Sequence, residues 1–174
     1  QIDALGTDFD INLEYDSCSN GVRKLCSATQ GSLVTSYSYD NLGSVTSHQN
    51  FQYVYDTSRR LKSLTYPNSR AVLTYFYDAA GQINKIDLSL NGTTTTIANN
   101  ISYHAFGPLK TLTYGNGKTL TQSLDQAYRT TDKSIPGALL LQYPSFDANG
   151  NILNKTNSTN TTGIINWNYG YDPL

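Results

Sequence analysis

Apolar and polar residues alternate with a period of two along most of this chain, in short runs broken by Gly, Asn, Asp and Pro. The stretch TYFYDAAGQINKI (74–86) shows the unit in full. Tyr75 and Tyr77 stand two residues apart, so both point to one face of a strand. Asp78 suits the first position of a type I turn, because its carboxylate can accept bonds from backbone N–H groups two residues on. Gly81 supplies the left-handed conformation that closes a three-residue hairpin loop with a bulge. Such a loop pairs Tyr77 with Ile83, an aromatic–aliphatic contact that contributes about 0.2–1 kcal/mol.

The unit recurs. SYSYDNLGSVTS, QYVYDTSRRLKS, ISYHAFGPLKT and YPSFDANGNIL fall into the same register. Its Asp position is held by Asp16, Asp40, Asp56, Asp78, His104, Asp125, Asp147 and Asp172, a little over twenty residues apart. The turn-forming signature is therefore Asp40, Gly43, Asp56, Asp78, Gly81, Gly107, Asp147 and Gly150. The same loop length predicts the pairs Tyr39–Val45, Tyr55–Leu61, Tyr103–Leu109 and Phe146–Ile152. A second turn lies between these, in LTYPNSR (64–70) and LTYGNGK (112–118). Each repeat is then two strands and two turns, and the chain is expected to be all-β, a continuous meander. GALLLQY (137–143) reads as a strand after Ile135-Pro136. Arg59 and Tyr128 occupy the glycine place, which leaves the loop geometry of those two units open. NGTTTTIANN and NKTNSTNTTG are expected as longer polar loops or hairpin tips. Nothing interrupts the pattern, so residues 1–174 read as a single array of about seven imperfect repeats. The ending NYGYDPL and the absence of methionine suggest a fragment of a longer protein.

Composition fits half-buried sheet: hydrophobic residues make up 38% and charged ones 14%, with 14 Tyr against 5 Phe. Twelve basic and thirteen acidic side chains give a net charge of −1, so no basic field draws nucleic acid or anionic membrane. No apolar run approaches the roughly 20 residues of a membrane-spanning helix, and insertion by this segment is not expected. Cys18 and Cys26 flank the turn signal Asn20-Gly21. They can close a small disulfide loop, which implies an oxidising compartment, or stand as two packed thiols. The N-x-S/T triplets at Asn91, Asn100, Asn154, Asn157 and Asn160 arise by chance in a chain so rich in Asn and Thr.

His48 and His104 have no metal-ligand spacing with each other or with the cysteines. No nucleophile elbow or phosphate-binding loop occurs. Each recurring Asp sits in its own turn rather than beside a second carboxylate, as glycoside hydrolysis would require. The expectation is a protein that is not an enzyme and uses no metal or cofactor. The tyrosine stripe admits two readings: a ladder packed from repeat to repeat, or exposed rings that stack on sugars. On the second, Tyr37, Tyr53, Tyr75 and Tyr169 are the candidate ligand-stacking positions.

The pattern Y-x-Y-D-x-x-G-x-[LIV], repeated nearly throughout, resembles the RHS/YD-repeat proteins. CSNGVRKLC is also similar to a two-cysteine stretch found among the repeats of bacterial RHS proteins. The resemblance implies an open spiral arc of β-ribbon, part of an RHS-type shell like those of the toxin-complex BC and teneurin proteins. It implies a non-catalytic wall segment that encloses a C-terminal toxin domain, in a secreted or surface-exposed bacterial protein. The implied partners are the remainder of the shell and the enclosed domain. An alternative the family also offers is a carbohydrate-binding or adhesive extracellular module, with polysaccharide as ligand. Asp172-Pro173-Leu174 is not the family's autoproteolytic motif, since the register makes it the start of an ordinary turn. Strand edges left unpaired at the ends of such an arc are expected to promote edge-to-edge self-association.

Overall fold

A computed structural model describes residues 10–158 and 163–172. The Asn160 triplet and the terminal Pro173-Leu174 lie outside the described residues. The strands are β1 (Ile11–Tyr15), β2 (Leu25–Gln30), β3 (Leu33–Tyr39), β4 (Val45–His48), β5 (Phe51–Tyr55), β6 (Leu61–Thr65), β7 (Ala71–Tyr77) and β8 (Ile83–Leu90). They continue as β9 (Thr93–Tyr103), β10 (Leu109–Tyr114), β11 (Thr119–Leu124), β12 (Thr130–Ile135), β13 (Leu139–Phe146), β14 (Ile152–Asn157) and β15 (Ile165–Asn168). One 3-10 turn, Pro67–Ser69, joins β6 to β7. All 15 strands form one antiparallel sheet whose spatial order is the chain order, β1 to β15. This is the all-β meander that the alternation demands.

The chain divides into two compact units, Gln1–Phe76 with Asp87–Thr95, and Tyr77–Ile86 with Thr96–Leu174. In the first unit, Tyr39 faces Val45 and Tyr55 faces Leu61, each beside a register shift of one residue. In the second, Tyr103 faces Leu109 and Phe146 faces Ile152. These are the pairs that a three-residue loop with a bulge dictates. The left-handed residue of the loop is glycine at Gly43 (φ 84°) and Gly81 (φ 81°). Arg59 (φ 64°) and Tyr128 (φ 62°) take the same conformation without being glycine, so those loops keep their geometry at a cost of about 1–2 kcal/mol.

Two readings of the chain gain sharper bounds. The segment after Asn91-Gly92 is not a polar loop: those two residues form the hairpin tip and Thr93–Tyr103 is an 11-residue strand. β-Branched threonines suit the pleat. GALLLQY begins as a turn, with Ala138 N–H donating to Ile135 O at 2.9 Å, and the strand starts at Leu139.

Neither unit builds a thick core. Among the described apolar residues only Cys26, Ala98 and Ile101 are buried, and no large side chain is fully enclosed. One face of the sheet carries the tyrosines and their aliphatic partners. On the opposite face of the first unit Val54 and Phe76 stand exposed between the tyrosines, and in the second unit hydroxyl and amide bonds join neighbouring strands. Ser102 meets Thr111 at 2.7 Å, Thr113 meets Thr119 at 3.0 Å, and Thr121 meets Ser134 at 2.7 Å. Ser145 donates to Asn154, whose amide donates in turn to Asn168 Oδ1.

The positive φ at Gly81 generates a test. Gly81→Val forces a β-branched residue into the left-handed region, and we expect a loss of about 1–3 kcal/mol in chemical denaturation. An unchanged urea midpoint would contradict the assigned turn.

Candidate functional site

Asp40 shows how one residue organises the repeat. Its N–H donates to Ser44 O at 2.9 Å and its carbonyl accepts the Gly43 N–H at 3.0 Å. The carboxylate Oδ1 then accepts two further backbone groups, Leu42 N–H at 2.9 Å and Ser44 N–H at 2.8 Å. Asp56 and Asp125 repeat the arrangement with Ser58 and Arg60, and with Ala127 and Arg129. Asp78 accepts from Gln82 N–H at 2.9 Å, and Asp147 from Asn151 N–H at 2.8 Å. Gly81 and Gly150 close their loops onto Asp78 O and Asp147 O.

Three loops have an added brace: Asn151 Nδ2 donates to Asp147 Oδ2 at 2.8 Å in the loop closed by Gly150, and the loops holding Arg59 and Tyr128 use arginine. Arg60 Nε bonds Asp56 Oδ2 at 2.8 Å, and Arg129 Nε bonds Asp125 Oδ2 at 2.7 Å. Charge-assisted bonds of this kind hold a carboxylate more firmly than neutral donors. His104 is the other exception. Its N–H still bonds Pro108 O at 2.8 Å, and Gly107 N–H still returns to His104 O at 3.2 Å. Pro108 has no N–H to offer a carboxylate, and the imidazole Nε2 instead meets Gln122 O at 2.9 Å. Phe106 takes φ 63° in this loop and is 94% exposed.

These bonds stabilise the ionised acid. The Ser44 N–H holds the Asp40 carboxyl below its ordinary range, and the Arg60 and Arg129 N–H groups do the same for Asp56 and Asp125. For Asp147 the Asn151 side-chain amide is the leading cause. Every one of these acids is thus occupied in its own turn, an arrangement suited to holding backbone.

In four units the second tyrosine links the unit to the one before. Tyr55 O–H donates to Val45 O at 2.9 Å, and Val45 is the residue facing Tyr39. Tyr39 O–H donates to Leu25 O at 2.6 Å, and Leu25 faces Tyr15. Tyr103 reaches Ile83 O at 3.0 Å, and Tyr171 reaches Ile152 O at 2.9 Å. Burial pushes the Tyr55 and Tyr103 phenols up, with the Asp40 and Asp78 carboxylates adding to the effect.

Cys18 and Cys26 are joined in a disulfide with Cα atoms 5.4 Å apart. The Gly21 backbone packs against both sulfurs, leaving no room for a Cβ there. The loop docks on the next turn: Asn20 donates to Tyr39 O, and Lys24 Nζ donates to Gly43 O while lying 4.9 Å from the Tyr39 ring centre.

The candidate stacking tyrosines do not form a platform. Tyr37 is half-buried and stacked on His48, ring centres 4.7 Å apart. Tyr53 faces Leu64 across β5–β6, and Tyr75 lies half-buried on β7. Alternate strands carry these three, so neighbouring rings stand roughly 10 Å apart. Tyr169 lies in the other unit and is exposed. Among the described residues, no group of three or more His, Cys, Asp or Glu could hold a metal ion, and no helix is long and apolar enough to cross a membrane.

No protein-family model matches the sequence. No curated protein matches it either. Solved structures do resemble the fold. A TcdB2–TccC3–Cdc42 structure superposes with a TM-score of 0.74 at 19% identity, covering 87% of this chain and 9% of that chain. TcdB2–TccC3 without its hypervariable C-terminal region gives 0.74 at 20% identity, covering 85% and 9%. The Tc holotoxin pore of Photorhabdus luminescens gives 0.75 at 19% identity, covering 87% and 9%. The chain therefore shares its fold with a part of these toxin structures, and it spans less than a tenth of those chains.

Two measurements follow from the bonds described. Tyr55→Phe removes the donor to Val45 O and should cost about 0.5–1.5 kcal/mol in urea denaturation; no change would show the link to be idle. The depressed Asp acidities add stability that is fully present above the unfolded carboxyl range and lost as pH falls through the folded values. The urea midpoint should therefore hold steady above pH ~5 and decline below pH ~4. Replacing Asp40, Asp56, Asp125 and Asp147 together by Asn should flatten that decline.

Proposed function

We propose that this chain is a non-catalytic wall segment of an RHS-type shell, part of a secreted or surface-exposed bacterial protein that encloses its own C-terminal domain. The observation that carries this reading is the repeat-to-repeat link. Five turns are closed by the carboxylate of Asp40, Asp56, Asp78, Asp125 or Asp147, and Tyr39, Tyr55, Tyr103 and Tyr171 tie their units to the one before, so units can be added in series without a central core. A wall needs this property. The likeness to TcdB2–TccC3 structures supports the same reading, as does the disulfide, which suits an oxidising compartment.

Polysaccharide binding is favoured less, because Tyr37 is covered by His48 and the three tyrosines of the first unit are separated by intervening strands. An enclosing wall makes its cargo inaccessible. In limited proteolysis of the native full-length protein, the C-terminal domain should survive until denaturant opens the repeats. Cleavage of that domain while the repeats remain intact would refute enclosure. A glycan array with the purified chain should give no signal; binding abolished by Tyr37→Ala would favour the carbohydrate module.

A further inference from the structure

Lys133 stands where other repeats place an aliphatic residue. It lies eight residues after Asp125, the place held by Leu64 after Asp56 and by Leu112 after His104. The register shift between Ser123 and Leu124 sets Lys133 opposite Gln122, on the same face as Leu124 and Thr130. On its other side Lys133 faces Leu141. Asp132, beside it in sequence, turns to the opposite face. An ammonium is thus carried on the face that holds Phe146 and Ile152. Lys155, at the same place one repeat on, faces Trp167 and has its ammonium 4.8 Å from that ring centre. Lys133 has no such ring.

Around Lys133 lies a pocket of about 290 Å³ that Arg129, Tyr143, Phe146 and Ile152 also line, all within the second unit. These side chains are half-buried. The Arg129 guanidinium sits 4.3 Å from the Phe146 ring centre, aligned by its Nε bond to Asp125 Oδ2 at 2.7 Å. That bond leaves its terminal N–H groups available. Among the described residues, no protein group accepts from those N–H groups, from the Lys133 ammonium or from Tyr143 O–H. The pocket therefore offers donors in want of acceptors, over an apolar floor of Phe146 and Ile152. Asp125 offsets Arg129, which leaves the charge of Lys133 uncompensated. Such a lining suits a single negative charge attached to an apolar body.

We propose that this pocket binds a free organic monoanion, a carboxylate carried on one apolar ring. The planar guanidinium matches the two oxygens of a carboxylate, Lys133 supplies the opposing charge, and Tyr143 O–H donates a further bond. The ring rests on Phe146 and Ile152. Pockets for drug-sized ligands begin at about 300 Å³, so this one holds a single ring rather than a larger molecule. The site is built from side chains of three neighbouring strands and their turns, and it stands independently of the wall reading.

Benzoate is the probe, titrated at pH ~7 into the isotopically labelled chain and followed by amide chemical shifts in NMR. We expect saturable shifts confined to β12, β13, β14 and the turns beside them. Benzamide, which keeps the ring and loses the charge, should bind about tenfold more weakly. Acetate, which keeps the charge and loses the ring, should also bind more weakly. Lys133→Leu restores the residue of the other repeats, so it should fold with an unchanged circular dichroism spectrum while benzoate binding falls about tenfold or more. Lys133→Arg should retain binding, and Lys155→Gln should leave it unchanged. A chain that shows no saturable shifts with benzoate overturns the proposal. So does benzamide binding as tightly as benzoate, full binding by Lys133→Leu, or an equal loss in Lys155→Gln.

Discussion

A single carboxylate oxygen, accepting backbone N–H groups two and four residues ahead, sets the geometry on which the Asp40, Asp56 and Asp125 hairpins depend. Those two bonds fix the loop at three residues, and the loop length fixes which residue faces the preceding aromatic. A one-residue slip would send the paired aromatic ring to the opposite face. The exceptions obey the same constraint. Arg60 and Arg129 grip the second carboxylate oxygen in loops without glycine, as Asn151 does in the loop that has Gly150. Where the residue four ahead is Pro108, no N–H exists to be accepted, and His104 replaces the acid. The substitutions look like lapses in a repeat, yet each is matched by a change in the donors around it.

Stability without a deep core follows from the same economy of local bonds. Few apolar side chains are buried in either unit, so area removed from water is not concentrated in one place. It is spread instead over aromatic–aliphatic pairs on one face and hydroxyl–amide bonds on the other. Each contributes little alone, and near-additive neighbour terms are how repeat proteins accumulate stability. The disulfide loop applies the same logic near the start of the array, where Asn20 and Lys24 bind the neighbouring turn.

Much of this was legible before any coordinates. Alternation, aspartate and spacing together specify strands, turns and register, because all three are local properties of consecutive residues. The pairing of Tyr55 with Leu61 could be counted off the loop. The tyrosine links could not: their acceptors are backbone carbonyls, which any residue possesses, so Val45 or Ile83 carries no mark of the role. β9 was hidden for a related reason. Four consecutive threonines resemble a solvated loop, and three of them are indeed exposed, although they lie within a strand. Arg59 and Tyr128 show the reverse, with a loop imposing left-handed backbone on residues that do not favour it. Propensity yielded there to the cross-strand pairing on either side.

The tyrosine links have a direction. Tyr39, Tyr55, Tyr103 and Tyr171 each donate to a carbonyl earlier in the chain. During synthesis, then, every clasp needs only residues that have already left the ribosome, and none waits for a downstream acceptor. Growth and folding can proceed in step, the newest hairpin fastening onto one already made. A nascent array of this design keeps only its most recent strand unprotected at any moment.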